Sequence, residues 1–335
     1  MLVIWVGWGQ TELGEFIKRS FTYPNLSLVD DMMKKHTTFT ETKENGINRQ
    51  LIKKTPPIQK NFIDEYLSGD CQAVLSAIPN DTFDLIVTSP PYSDSRKNTY
   101  GGVHPDKYVS WFIPKAAEFF RVLKPTGTFI LNIKEKAHNG ERHPYILDLI
   151  LSMRKQGWLW TEEYIWVKRN CYPGKWPNRF RDSWERCLQF NKSRKFNMYQ
   201  DEVKVPVGEW AKTRLKNLSK TDKTRDESEV GSGFGKKISN WVGRDQVYPT
   251  NVLHFATECG NVGHSAAFPE ALPTWFIKLF TKKGDLVLDP FAGSGTTALA
   301  CIKLDRNYTM VDIMPEYKEL AERRLANEQN KPKPD

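Results

Sequence analysis

Two short segments of the chain carry residue types whose spacing could position a reactive group. The first is Leu286-Val287-Leu288-Asp289-Pro290-Phe291-Ala292-Gly293-Ser294-Gly295-Thr296-Thr297. This pattern predicts a buried strand, a tight glycine turn and the start of a helix. Glycines allow positive φ and close approach of the backbone, and a helix start offers N–H groups to a carboxylate or phosphate. The turn is therefore predicted to bind a small ligand.

The residues of this turn, taken alone, can be compared with two classes of ligand-binding turn. A nucleotide-binding P-loop would need a lysine after the second glycine, and Thr296 stands there instead. The spacing Gly293-x-Gly295-x-x-Ala298 fits a loose dinucleotide fingerprint, and Asp312 closes the next predicted strand, where an acid could bind a ribose. These residues alone leave a nicotinamide-dependent oxidoreductase open.

The second segment is Ser89-Pro90-Pro91-Tyr92, which follows the apolar run from Phe83 to Thr88. Two consecutive prolines fix φ and keep Ser89 out of the helical region, so the chain leaves the predicted strand in a rigid, extended form. The Ser89 hydroxyl and the Pro90 carbonyl could then accept two hydrogen bonds from an amino group. Taken alone, the motif is also compatible with an ordinary proline-rich turn.

Together the two segments resemble the S-adenosylmethionine-dependent DNA methyltransferases that modify exocyclic amino groups. The order of parts, with the proline motif before a basic segment and the glycine turn last, resembles the circularly permuted β group over about residues 63–327. Thr88 to Tyr92 resembles the form usual in N4-cytosine enzymes, whereas N6-adenine enzymes more often have Asp or Asn in place of Ser89. The resemblance implies a site-specific enzyme of the restriction–modification type that methylates cytosine N4 in duplex DNA, with adenine N6 as the alternative.

The same resemblance implies roles for the proline motif. Ser89 and the carbonyl of Pro90 would hold the target amino group so that its nitrogen can attack the methyl group in line, without metal or covalent intermediate. Tyr92 would offer a face to a flipped base, and Pro91 completes the rigid turn. A cytosine-C5 enzyme would need a Pro-Cys dipeptide, and none of the five cysteines follows a proline.

For the cofactor, the resemblance implies that the turn from Phe291 to Gly295 holds the methionine end, with Asp289 nearby. Asp312 would bind the ribose hydroxyls and Asp70 would lie near the adenine amino group, unless each only caps the helix that follows it. The segment 264–269 would lie near the methionine carboxylate and sulfonium. The residues implied in cofactor binding are Asp70, His264, Ser265, Phe268, Asp289, Pro290, Phe291, Ala292, Gly293, Ser294, Gly295 and Asp312.

The elements that must position these residues follow from the hydrophobic pattern. Short buried strands alternate with amphipathic helices, which predicts an α/β fold with a doubly wound, mostly parallel sheet. We expect a catalytic domain over residues 61–192 and 250–330, an irregular target-recognition insertion at 193–249, an N-terminal arm at 1–60 and a tail at 331–335. Arg179-Phe180-Arg181-Asp182-Ser183-Trp184-Glu185 resembles a family element at the edge of the target pocket, although a buried ion pair beside a strand would also explain it.

Charge and composition bear on the partners of the chain. Of a formal net charge of +9, the stretch from Lys168 to Arg244 holds 19 Lys/Arg against 9 Asp/Glu. Such a block suits a polyanion, which the resemblance implies to be duplex DNA, although a solvated surface, or a DNA-binding module without activity, would also account for it. The scattered cysteines indicate neither a disulfide framework nor a metal site. We expect a protein of the bacterial or archaeal cytoplasm, without membrane contact, monomeric or homodimeric, that acts beside a cognate restriction endonuclease.

Overall fold

The computed structural model describes residues 61–94, 102–171, 174–220, 243–258 and 268–329. The predicted N-terminal arm and tail lie outside these ranges. The strands are β1 Glu65–Ser68, β2 Phe83–Thr88, β3 Leu123–Ile133, β4 Ala137–His138, β5 Glu141–Arg142, β6 Leu159–Lys168, β7 Lys175–Trp176, β8 Arg179–Phe180, β9 Trp184–Asn191, β10 Val205–Pro206, β11 Gln246–Val247, β12 Val252–Phe255, β13 Leu286–Asp289 and β14 Asn307–Asp312. The α-helices are α1 Cys71–Leu75, α2 Pro105–Val122, α3 Tyr145–Lys155, α4 Glu209–Lys216, α5 Ala271–Phe280, α6 Thr296–Lys303 and α7 Pro315–Gln329.

One eight-stranded sheet organises the described part of the chain, in the order β1-β14-β13-β2-β3-β9-β6-β12. Strand β9 is antiparallel to both of its neighbours, β3 and β6, and every other pairing in this sheet is parallel. The mostly parallel α/β sheet that the sequence predicts is thereby confirmed. Three further antiparallel pairs of two-residue strands, β4–β5, β7–β8 and β10–β11, lie outside this sheet.

Helices cover both faces of the sheet because its central strands are apolar on both sides. In β2, Phe83 and Ile86 pack with α1, α2 and α3 in one buried cluster, whereas Leu85 and Val87 pack with α5, α6 and α7 in the other. Strand β13 is divided in the same way, with Leu288 in the first cluster and Val287 in the second. The central strands are therefore held from both sides, and the loops at their ends start from a rigid base.

The structure differs from the sequence-based expectations in two places. The turn-forming residue types at 124–127 predict a turn that ends helix α2, but Leu123 already has extended backbone angles and the helix passes directly into β3. The region 193–249 was expected to be irregular, yet its described part contains a 3-10 turn at Gln200–Val203, helix α4 and the β10–β11 pair. Across the described ranges, no helix is long and apolar enough to span a membrane.

Candidate active site

The two predicted loops meet at one edge of the sheet. Strands β2 and β13 are parallel neighbours, so the proline motif and the glycine turn leave the sheet side by side. The Thr88 hydroxyl donates to Asp289 Oδ1 at 2.6 Å, and the Thr297 hydroxyl donates to Asp289 Oδ2 at 2.6 Å. Thr88 and Asp289 are 201 positions apart in the sequence, and the pairing of β2 with β13 brings their loops together.

The buried side chain of Asp289 links the two loops by hydrogen bonds and is not exposed to a ligand. Its side chain accepts a third hydrogen bond from the backbone N–H of Phe291, and the residue is 1% exposed. Burial raises the pKa of Asp289 to about 6, although these hydrogen bonds favour the ionised form. The carboxyl group therefore joins β2, the glycine turn and helix α6, and whether it also lies near the cofactor stays a prediction.

The glycine turn is shaped by close packing against the C-terminal helix. Gly295 has φ +78°, and a Cβ atom there would lie 2.9 Å from the Cβ of Ala321 on α7. The carbonyl of Gly293, another residue with positive φ, accepts a hydrogen bond from the Tyr66 hydroxyl at 2.6 Å. Arg324 on α7 donates to the carbonyl of Ser294 at 2.6 Å. Glycine is required here by both backbone angle and space.

Asp312 and Asp70 lie at the ends of neighbouring strands beside this turn. Asp312 Oδ2 accepts the N–H of Gly293 at 2.9 Å, and its Oδ1 accepts the N–H of Met314 at 3.0 Å. Asp70 caps helix α1 through Oδ1, and its Oδ2 forms an ion pair with Lys115 at 3.1 Å. Asp70 thus caps the helix that follows it, whereas Asp312 accepts from the glycine turn and from the N–H of Met314, and cofactor contacts by either remain predictions.

The residues around the turn fit the cofactor that the sequence indicates. The Asp70 side chain is 44% exposed, and Asp312, at the adjacent strand end, is buried, which raises the pKa of its carboxyl group. Helix α6 begins at Gly295 without a side-chain cap, which suits the carboxylate of a methionine moiety. Phe291 is half-buried, whereas Pro290, Ala292 and Ser294 are buried. Phe268 packs against the sheet's second cluster, and His264 and Ser265 lie outside the described residues.

The proline motif is held by a chain of polar side chains. The Ser89 hydroxyl donates to the Tyr92 hydroxyl at 3.1 Å, which donates to Glu185 Oε2 at 2.6 Å. The Tyr108 hydroxyl donates to the carbonyl of Pro91 at 3.0 Å. Among the described residues, no donor contacts the carbonyl of Pro90. The rigid turn thus retains a backbone acceptor beside the Ser89 hydroxyl.

Glu185 links this chain to a buried ion pair. It is 5% exposed at the start of β9, and Lys168, at the end of β6, donates to its Oε1 at 2.6 Å. The amide nitrogen of Asn132, from the end of β3, lies 3.2 Å from Glu185 Oε2. The buried ion pair that was one interpretation of the segment 179–185 is present at Glu185, and the place of this segment at the edge of a target pocket stays a prediction. Sequence reasoning did not single out Lys168 or Asn132, although both are polar residues at strand ends.

Tyr92 keeps its proton in this setting. Burial of the hydroxyl, and secondarily the negative charge of Glu185, raise its pKa well above the usual range of a phenol. The residue as a whole is only half-buried, so the hydroxyl end is anchored while part of the ring remains accessible. Such a ring has a fixed orientation and a face that an aromatic ligand could contact.

The β7–β8 pair presents an aromatic side chain among cations at the same edge. Phe180 is 92% exposed, the largest exposure among the large hydrophobic residues that the structure describes. Asp182 contacts Arg142, Lys134 and Arg179. Partial burial opposes ionisation of Asp182, but Arg142 and Lys134 outweigh it and lower its pKa. The cations are therefore organised around a single acid, and the surface keeps a positive excess.

A second group of polar side chains follows the proline motif. Asp94, His104 and His138 each offer one ligand atom, all within 4.8 Å of one another. Lys136 lies 3.5 Å from Asp94 Oδ2, and His104 Nδ1 accepts the backbone N–H of Asp106 at 3.3 Å. Asp94 and His104 are therefore already engaged by other protein groups at atoms that could bind a metal ion.

Comparison with known proteins places this geometry in a family. The model of a family described as DNA methylase, comprising N6 and N4 enzymes, matches residues 83–323, which is more than half of the chain. The chain belongs to the N6/N4 DNA methylase family. It is an S-adenosylmethionine-dependent DNA methyltransferase. This membership favours the methyltransferase interpretation of the glycine turn over the nicotinamide-dependent one.

Several relatives span most of the chain. Type II methyltransferase M.PvuII of Proteus hauseri is 28% identical over 273 residues, covering 74% of this chain and 80% of its own. Orphan methyltransferase M.BamHII of Bacillus amyloliquefaciens is 30% identical over 268 residues, covering 77% and 91%. Among N6/N4 methylases of known structure, the cytosine-N4-specific PvuII DNA methyltransferase superposes with a TM-score of 0.58 at 23% identity, covering 79% of this chain and 91% of that one. The DNA modification methylase TTHA0409 of Thermus thermophilus gives a TM-score of 0.51 at 25% identity, covering 79% and 95%.

Proposed function

We propose that this methyltransferase transfers a methyl group to N4 of cytosine at a specific site in duplex DNA, as part of a restriction–modification system. The observation that carries the proposal is the hydroxyl of Ser89, held by Tyr92 beside the Pro90 carbonyl and one strand away from the glycine turn. The similarity to a cytosine-N4-specific enzyme and to Type II methyltransferases supports the choice of base and of system.

The residues of this chain would activate an otherwise poor nucleophile. An aromatic amino group is weakly nucleophilic because its lone pair is delocalised into the ring. Ser89 Oγ and the carbonyl oxygen of Pro90 accept its two N–H groups, so the nitrogen pyramidalises and its lone pair points away from both acceptors. S-adenosylmethionine supplies the electrophilic methyl group on its sulfonium. The lone pair forms the new N–C bond, the S–C electron pair stays on sulfur, and one amino proton is released.

The hydrogen bonds that Asp289 accepts from both loops would fix the distance between the target amino group and the cofactor. Because the carboxyl group of Asp289 bonds Thr88 on one loop and Thr297 behind the other, neither loop can move without breaking a buried hydrogen bond. Asp70, Asp312 and the turn from Phe291 to Gly295 hold the cofactor in this proposal. The segment 264–269 lies near its methionine end.

The target base would be reached by flipping it out of the duplex. A side chain that enters the vacated space must be exposed, apolar and close to phosphate-binding cations, and Phe180 meets these conditions between Arg179 and Arg181. The Tyr92 ring then offers the flipped base a stacking face. The basic stretch that includes residues 193–249 contacts phosphates and reads the site.

The experiment combines methylation-aware sequencing with analysis of the modified nucleoside. DNA from cells that express the protein gives the site, and a duplex carrying that site is then methylated with labelled S-adenosylmethionine. Digestion to nucleosides should yield N4-methylcytosine. Ser89→Ala should lose most of the transfer while binding the cofactor normally, and Ser110→Ala, an exposed change on α2, serves as the matched control. Label on N6 of adenine would overturn the base assignment, and label on neither base would overturn the proposal.

A further inference from the structure

Tyr92 links Ser89 to Glu185 through two hydrogen bonds, and Glu185 determines which atom donates in each. The Glu185 carboxylate, paired with Lys168, has no proton to give, so the Tyr92 hydroxyl must donate to it. The Tyr92 oxygen can then only accept from Ser89, which donates its single proton to Tyr92. Ser89 Oγ is therefore left with its lone pairs, which can accept a hydrogen bond from a bound amino group.

We propose that Glu185 is a positioning residue that makes Ser89 a hydrogen-bond acceptor for the target amino group. The proposal rests on the assignment of Ser89 as a contact of that group, and it holds for cytosine and adenine alike. Glu185 does not touch the base. It acts through Tyr92, and its effect is the orientation of a proton two hydrogen bonds away.

Lys168 makes the proposal sharply testable. In a Glu185→Gln variant, Lys168 can only donate, so it holds the amide oxygen at the position of Oε1, 2.6 Å away. The amide nitrogen must then occupy the position of Oε2, toward which both Tyr92 and the Asn132 amide now donate. Tyr92 must then accept from the amide nitrogen, and its own proton is divided between Asn132 Oδ1, 3.1 Å away, and Ser89. In the molecules where it turns to Ser89, Ser89 presents a proton to the amino group.

The first measurement is the single-turnover rate of methyl transfer by Glu185→Gln at saturating DNA and S-adenosylmethionine. We expect a loss of roughly ten- to a hundredfold, because a charge-assisted hydrogen bond is replaced by a misdirected neutral one. The dissociation constants of cofactor and DNA should stay near those of the wild type. Glu163→Gln is the matched control, since Glu163 forms an ion pair with Arg186 across the same two strands, β6 and β9, without reaching Tyr92.

The decisive variant removes the residue that orients the glutamine. In Glu185→Gln/Lys168→Met the amide is free to turn its oxygen toward Tyr92, which restores the original direction of the chain. We expect the double variant to be faster than Glu185→Gln, on the order of tenfold if the orientation is fully restored. A merely structural ion pair would predict that losing both partners does not increase the rate of transfer.

The outcomes separate this inference from the proposed function. No transfer by the wild-type protein to either amino group overturns the proposed function. Transfer by the wild type, with a double variant no faster than Glu185→Gln, overturns the positioning role alone. If Glu185→Gln fails to bind the cofactor or to fold, Tyr92→Phe tests the same chain. It should slow transfer while leaving cofactor affinity unchanged, and a Tyr92→Phe enzyme as fast as the wild type contradicts the proposal.

Discussion

Replacing Asp289 by asparagine should remove a component of stability that depends on pH. The carboxyl group is buried between Thr88 and Thr297, and burial raises its pKa from 3.8 to about 6. Between these two values the folded protein holds a proton on Asp289 that the unfolded chain has already released. The free energy of unfolding therefore falls as pH rises through this range.

The size of the effect follows from the displacement of the pKa. A change from 3.8 to about 6 corresponds to about 3 kcal/mol, since one pKa unit is about 1.4 kcal/mol. Asparagine does not titrate, and the two threonine hydroxyls can rotate to pair with its amide. Relative to the wild type, Asp289→Asn should thus gain about 3 kcal/mol of stability between pH 3.5 and pH 7.

The assay is urea-induced unfolding of both proteins at several pH values across this range. Asp148→Asn, an exposed change on α3, controls for the loss of a carboxyl group that is not buried. The difference in unfolding free energy between wild type and Asp289→Asn is compared from one pH to the next. A difference that stays constant from acid to neutral pH would refute the burial-raised pKa.

Two further predictions concern the cofactor turn and the DNA surface. Gly295→Ala should cost about 1–2 kcal/mol from its positive φ alone, and the contact with Ala321 adds to this, so calorimetry should show weaker S-adenosylmethionine binding together with a lower Tm. Phe180→Ala should weaken binding to the cognate duplex roughly five- to a hundredfold, which is the range expected for one lost base–aromatic contact. Its cofactor affinity should be unchanged, and 2-aminopurine at the target position should brighten less on binding. Leu151→Ala, an exposed apolar residue on α3, is the control, and equal DNA affinity in all three proteins would exclude Phe180 from the interface.

Much of the sheet could be predicted because many of its strands contain short runs of apolar residues that are buried in the fold. The sequence predicts β2 over Phe83 to Thr88 and β9 over Trp184 to Asn191, the bounds that the structure has, because apolar residues dominate β2 and recur in β9. Apolar residues at helical spacing predict helix α2 over Tyr108 to Leu123, but it begins three residues earlier, at Pro105, because its cap is His104, which is not among the usual capping residues. The junction of α2 with β3 was missed because Lys124, Pro125 and Gly127 are turn-forming types that here lie within a strand.

The sequence predicts the two loops of the site but not the hydrogen bonds that join their side chains to other strands. The proline motif and the glycine turn are local patterns, so their positions follow once the strands that carry them are adjacent. The contact between Tyr92 and Glu185 spans 93 positions, and it depends on the pairing of β9 with β3 and β6. No local pattern specifies that pairing, and for the same reason Lys168 and Asn132 gave no signal of their own.

Because strand β9 is antiparallel to its neighbours, its functional residues lie at its beginning and not at its end. Strands β2 and β3 deliver side chains to the reaction edge from their last residues, as Thr88 and Asn132 do. Strand β9 reaches the same edge with its beginning, so Glu185 arrives before the apolar run instead of after it. Variation in the few residues that introduce β9 should therefore alter catalysis, whereas variation at its last residues, Gln189 to Asn191, falls at the far rim of the sheet and should affect folding.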